Sequence, residues 1–130
     1  MELKGYHHIG LFVKDISKSL AFYRDGMGGK VTFSFPMGDS GEIIYLVDIG
    51  GGAVVELIPK GYDQAETNAR FAHICIATDD CRAAHALALK AGATERSAPN
   101  DGNLGTMSMC NSFVLGPDGE SVEFFQEKSR

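Results

Sequence analysis

No stretch of this chain is apolar for long enough to span a bilayer, and Met1 to Gly5 lack the apolar segment of a secretion signal. A membrane or exported protein is therefore not expected, and cytoplasmic residence is. Cations are scarce as well: 12 Lys and Arg stand against 17 Asp and Glu, for a formal net charge of −5, and they form no cluster. That argues against nucleic acid or an anionic membrane as partner and leaves a small molecule. Cysteine is limited to Cys75, Cys81 and Cys110, an odd number without metal-finger spacing. No disulfide framework or zinc finger follows, and the three read as reduced thiols packed like small hydrophobes.

What the chain does contain is a repetition. Ala72-His73-Ile74-Cys75-Ile76-Ala77-Thr78-Asp79-Asp80 replays His7-His8-Ile9-Gly10-Leu11-Phe12-Val13-Lys14-Asp15, with the matching histidines His8 and His73 spaced 65 residues apart. Each run is strand-like and leads through Asp into a helical pattern. Each half ends in a carboxylate set in an apolar strand, Glu56 within Val54 to Ile58 and Glu123 within Ser121 to Phe125. At 130 residues, 44% hydrophobic and 22% charged, the chain is long enough for one ordinary globular domain.

The order of elements is the same in both halves. In the first, a strand over Tyr6 to Val13 precedes a helix capped by Asp15 or Ser17, with Ile16, Leu20, Tyr23 and Met27 at helical spacing. The glycines at 26, 28 and 29 stop it. Strands over Val31 to Phe35, Glu42 to Ile49 and Ala53 to Ile58 follow, the last two joined through Gly50-Gly51-Gly52. In the second, a strand opening at Phe71 precedes a helix over Cys81 to Ala91 and a short strand over Thr94 to Ala98. Pro99 to Gly105, rich in Asn, Asp and Gly, reads as a long flexible loop. Thr106 to Leu115 and Ser121 to Gln126 form a closing hairpin. The expected fold class is α+β: two tandem βαβββ modules, about residues 5–58 and 71–127, with a polar linker at about 59–70, forming one domain whose curved mixed sheet surrounds a metal site.

One His and one Glu per copy can bring two of each together about a pseudo-twofold axis. A carboxylate flanked by Val, Leu, Ile or Phe costs several kcal/mol to bury unless paired or bound to a cation. His8, Glu56, His73 and Glu123 are accordingly the candidate metal ligands. Two imidazoles and two carboxylates leave one or two positions open on a divalent ion, the composition of a catalytic site, and suit zinc, nickel, cobalt, manganese or ferrous iron. His7, next to His8, is expected to point to the opposite sheet face in a structural role. His85 on the second helix, at the place of Leu20, is expected to be exposed or half-buried. Cys75 shares a strand face with His73 and so can line the same cavity.

These residues resemble the vicinal oxygen chelate superfamily, known also as the glyoxalase, bleomycin resistance and dioxygenase fold family, and within it the glyoxalase I branch. The likeness runs through His8 to Asp15, Phe22-Tyr23-Arg24-Asp25 before Met27-Gly28, Val55-Glu56-Leu57 and Ala72-His73-Ile74. It closes with Gly116-Pro117-Asp118-Gly119 ahead of Val122-Glu123-Phe124. The resemblance implies a divalent metal (nickel, cobalt or zinc), a homodimer, and a lyase or isomerase acting on a hemithioacetal or related hydroxy-carbonyl compound. In such chemistry the ion holds both substrate oxygens while the α-proton leaves and an enediolate forms, with Glu123 as base and Glu56 as its counterpart. Two positions depart from the branch: Phe12 stands where bacterial glyoxalase I enzymes have an arginine, and Lys60 where they have an asparagine, both glutathione contacts in the family. The substrate pocket is thus expected to include Phe12, Cys75 and Lys60, and glutathione to be a weak cosubstrate. Alternatives are a methylmalonyl-CoA epimerase-like enzyme, whose usual His-Pro-Lys segment is missing before the last strand, or a non-catalytic binding protein, which would ordinarily lack the four ligands.

Overall fold

The computed structural model describes residues 7–59, 73–104 and 106–129. The chain divides into two compact units, 1–67 and 68–130. In the first, β1 (Ile9–Val13) leads into α1 (Ile16–Leu20), which widens into a π-helical turn over Ala21–Gly26. Then come β2 (Lys30–Pro36), β3 (Ile43–Asp48) and β4 (Val54–Pro59). In the second, β5 (Ile74–Ala77), α2 (Cys81–Lys90), β6 (Thr94–Leu104), β7 (Met107–Leu115) and β8 (Ser121–Ser129) repeat the order βαβββ. The linker expected at about 59–70 falls almost wholly outside the described residues, as do Tyr6, Phe71 and Gly105.

Each unit forms its own four-stranded mixed sheet, ordered β1-β4-β3-β2 and β5-β8-β7-β6. In both, the first strand pairs parallel with the last, and the chain between them runs through the helix to the far edge strand and back across the sheet. That pairing sets His-bearing and Glu-bearing strands side by side.

Helix starts follow from single residues. Asp15 accepts from the backbone N–H groups of Ser17 and Lys18 at 3.0 and 3.2 Å, and Asp80 from that of Ala83 at 2.9 Å. In the π turn, Met27 N–H donates to the Phe22 carbonyl at 2.8 Å, five residues back. Phe22 and Tyr23 are both buried there, edge to face at 4.8 Å. The exit is tight at Gly29, where a Cβ would run into the Tyr23 carbonyl and come within 2.8 Å of Val47 Cγ1.

The helix-facing side of each sheet is the core: Val13, Val47, Val55 and Leu57 in the first unit, Cys110, Val114, Val122 and Phe124 in the second. Strand alternation then turns Glu56 and Glu123 to the other side. His85 is part of this buried layer, only 4% exposed, with Nε2 2.8 Å from Glu95 Oε2 and Nδ1 lacking a partner. The expectation of an exposed or half-buried residue is overturned, because its match in the first unit, Leu20, is itself buried.

Pro99 to Leu104 is strand rather than loop. β6 runs eleven residues against β7, with register shifts between Glu95 and Ser97 and between Ser97 and Asn100. Pro99 falls in the second irregularity of an edge strand, where no ladder N–H is required of it. β8 likewise continues past Gln126 to Ser129. Among the described residues no helix is long and apolar enough to cross a membrane.

Candidate metal centre

In the first unit Gly10 on β1 is registered against Glu56 on β4, and Glu56 against Leu46 on β3. His8 stands one step before β1, its Nε2 3.6 Å from Glu56 Oε1. A Cβ at Gly10 would lie 3.4 Å from Glu56 Oε1, an ordinary contact, and the second unit carries a Cβ at the matching place. On the same face Phe12 is registered against Ile58 and is 56% exposed. Phe33, paired with Leu46, and Phe35 extend this apolar surface.

His7 is not held away from its neighbour. The two Nδ1 atoms lie 2.9 Å apart with the rings edge to face at 5.1 Å. Alternation does not separate these residues because the strand begins only at Ile9. With its Nδ1 so engaged, His8 presents Nε2 toward Glu56.

The second unit repeats the arrangement more tightly. Cys75 on β5 is registered against Glu123 on β8, and Glu123 against Phe113 on β7. His73 Nε2 lies 2.9 Å from Glu123 Oε2. Asn111 on β7 donates through Nδ2 to the other oxygen, Oε1, at 3.0 Å. Glu123, its side chain 9% exposed, therefore has each oxygen assigned to a different partner. The His73 ring meets Phe113 edge to face at 5.6 Å. Asn111 escaped sequence reasoning because the first unit has no counterpart to it; its signal is an amide two positions from Phe113, on the same face of β7.

Cys75 takes the position of Gly10 in the repeat and lies beside Glu123. Cys75 is exposed rather than packed as expected, yet partial desolvation of the thiol, and after it the Glu123 carboxylate, push its pKa up to about 12. It is thus a neutral thiol at physiological pH and a poor nucleophile. Lys60 lies outside the described residues.

The donors present fit a divalent ion. Two ligands about 2.0 to 2.1 Å from one metal stand roughly 3.0 Å apart in octahedral and 3.4 Å in tetrahedral geometry. The two His–Glu separations, 2.9 and 3.6 Å, lie about that range. Imidazole nitrogen with carboxylate oxygen is a set suited to borderline ions. Among the described residues no three His, Cys, Asp or Glu side chains gather into a metal-holding group, and each pair belongs to its own unit.

The chain is similar to several known proteins. The lactoylglutathione lyase of Haemophilus influenzae is 30% identical over 136 residues, a match covering 94% of this chain and 92% of that enzyme. The human mitochondrial methylmalonyl-CoA epimerase is 29% identical over 85 residues, 60% of this chain and 48% of the epimerase; the chain spans about half the length of that relative. In fold, the trypanothione-dependent glyoxalase I of Leishmania major superposes with a TM-score of 0.70 at 22% identity, covering 95% of this chain and 87% of that one. The model of the Glyoxalase/Bleomycin resistance protein/Dioxygenase superfamily matches residues 5–124. With its two βαβββ units and a His–Glu pair in each, the chain belongs to that superfamily.

Proposed function

We propose that this protein is a metal-dependent lyase or isomerase of the glyoxalase I type, acting on a hemithioacetal or related hydroxy-carbonyl substrate. The observation that carries the reading is the repeated His–Glu pair, His8 with Glu56 and His73 with Glu123, at matching positions of the two units. His8, Glu56, His73 and Glu123 are the protein's metal ligands. When bound, the ion supplies Lewis-acid polarisation of the substrate oxygens.

The chain's own contribution is proton transfer. Glu123 is the base that takes the α-proton, its carboxylate oriented by the Asn111 amide and fronted by the Phe113 ring. Glu56, less buried and without such an amide among the described residues, is its counterpart on the other face of the substrate. The full-length relationship to a lactoylglutathione lyase supports this chemistry. Phe12 on the open face of β1 disfavours an anionic cosubstrate on that side, so a thiol other than glutathione is the better partner.

Purified protein loaded with nickel, cobalt or zinc is expected to isomerise methylglyoxal hemithioacetals, and no turnover with any thiol would contradict the reading. A kcat/KM with the glutathione adduct of about 10⁶ M⁻¹s⁻¹ or more would show that Phe12 does not exclude glutathione. The relationship to methylmalonyl-CoA epimerase favours a second reading, epimerisation of an acyl thioester by the same enolate chemistry. Solvent deuterium separates the two, since the lyase returns the proton one carbon away and the epimerase to the carbon it left.

A further inference from the structure

Arg96 is the extra residue where β6 slips register against β7: Glu95 pairs with Val114 and Ser97 with Phe113, leaving Arg96 unmatched. Such a bulge redirects a side chain out of strand alternation. Glu95 turns toward the helix, where it meets His85. The Arg96 guanidinium instead lies over the Phe113 ring, 5.5 Å from its centre, and donates through Nη1 to Ser121 Oγ at 2.9 Å.

These contacts pin the cation without neutralising it. Arg24 pairs with Asp25 and Arg82 with Asp101, whereas among the described residues Arg96 pairs with no carboxylate. A guanidinium carries five donors, and one is used here. Its stacking ring, Phe113, is the one that touches His73 and is registered against Glu123. Its hydroxyl partner, Ser121, precedes Glu123 by two residues on β8, on the same face and roughly 7 Å along the strand. One aromatic ring therefore separates a fixed, unneutralised fork of donors from the residues assigned above to the reaction.

We infer that Arg96 is an oxyanion-binding residue that fixes the charged end of the substrate, a carboxylate or a phosphoryl group on its thiol portion. The inference rests on the proposed function for the identity of the reacting end. It places the anion site on the second unit, in contrast to the apolar Phe12 of the first. Of the two chemistries, a carboxylate matches the planar fork through two parallel hydrogen bonds, while a phosphoryl group fits the charge equally well.

The test uses three thioether probes with the same two-carbon spacer, S-propyl derivatives of 3-mercaptopropionate, 2-mercaptoethyl phosphate and 2-mercaptoethanol. Each is titrated into metal-free ¹⁵N-labelled protein while the Arg96 Nε–H resonance is followed. At least one charged probe is expected to bind ten-fold or more tighter than the neutral one and to shift that resonance. Whichever charged probe is preferred identifies the natural group. In Arg96→Gln the preference should vanish with neutral-probe binding unchanged, and Arg96→Lys should keep part of it. Equal binding of all three probes to the wild type, or a preference that survives Arg96→Gln, overturns the inference. Loss of binding of the neutral probe as well would show a structural residue and overturn it too. Failure of the metal-loaded protein to turn over any hemithioacetal would count against the proposed function alone, because the titration reads Arg96 without catalysis.

Discussion

At the scale of single residues, the informative contrast is between the two glutamates. Glu123 has one oxygen on His73 and the other on Asn111, whereas Glu56 faces His8 at 3.6 Å. Glu123→Gln keeps a coordinating oxygen but removes the proton acceptor, so kcat is expected to fall by about two to four orders of magnitude while some metal remains bound. An active Glu123→Gln beside a dead Glu56→Gln would show that the two roles are exchanged. Asn111→Leu frees one Glu123 oxygen without touching the ligand set, and kcat/KM should fall about 10- to 100-fold, as for other groups that orient a ligand. Unchanged kinetics in that variant would mean the amide is incidental. The ligand candidates were legible from residues alone, because each His and each Glu recurs at the same place in a repeat. Asn111, Arg96 and the pairing of buried His85 with exposed Glu95 were not, since nothing in the other half matches them.

At the scale of elements, local chemistry predicted most boundaries and failed where tertiary pairing prevailed. Asp15 and Asp80 are caps that sequence alone could name, and Asp80→Ala is expected to destabilise the protein by about 1 kcal/mol, read as a shift in denaturant midpoint. Pro99-Asn100-Asp101-Gly102 has the composition of a loop, yet long pairing with β7 and two register shifts make it strand. Asp101 helps hold it there: its carboxylate accepts from Lys128 Nζ on β8 at 2.6 Å and from Arg82 Nη2 on α2 at 3.1 Å. Those two hydrogen bonds lower its pKa to about 2. A carboxylate lowered in the folded state stabilises it above the unfolded pKa of about 3.9, and that contribution is lost as pH falls toward 2. Asp101→Asn should therefore be less stable than wild type at neutral pH, with the gap closing between about pH 4 and pH 2 and narrowing in high salt. A gap independent of pH would mean that the ion pairs are not its source.

At the scale of the whole molecule, duplication explains why so much of the fold could be anticipated. Two βαβββ units follow from one periodic pattern read twice, and the parallel first-to-last strand pairing within each sets His beside Glu. Sequence patterning does not specify register shifts, which depend on how one strand fits another, and so the edge strand β6 was misread at its far end. Metal content measured on purified protein tests most directly the proposal that His8, Glu56, His73 and Glu123 are metal ligands. Wild type is expected to carry close to one divalent ion per chain and to lose thermal stability when a chelator removes it. His8→Ala and His73→Ala, one substitution in each unit, should each abolish that stoichiometric binding. Undiminished metal content in both variants would contradict the account.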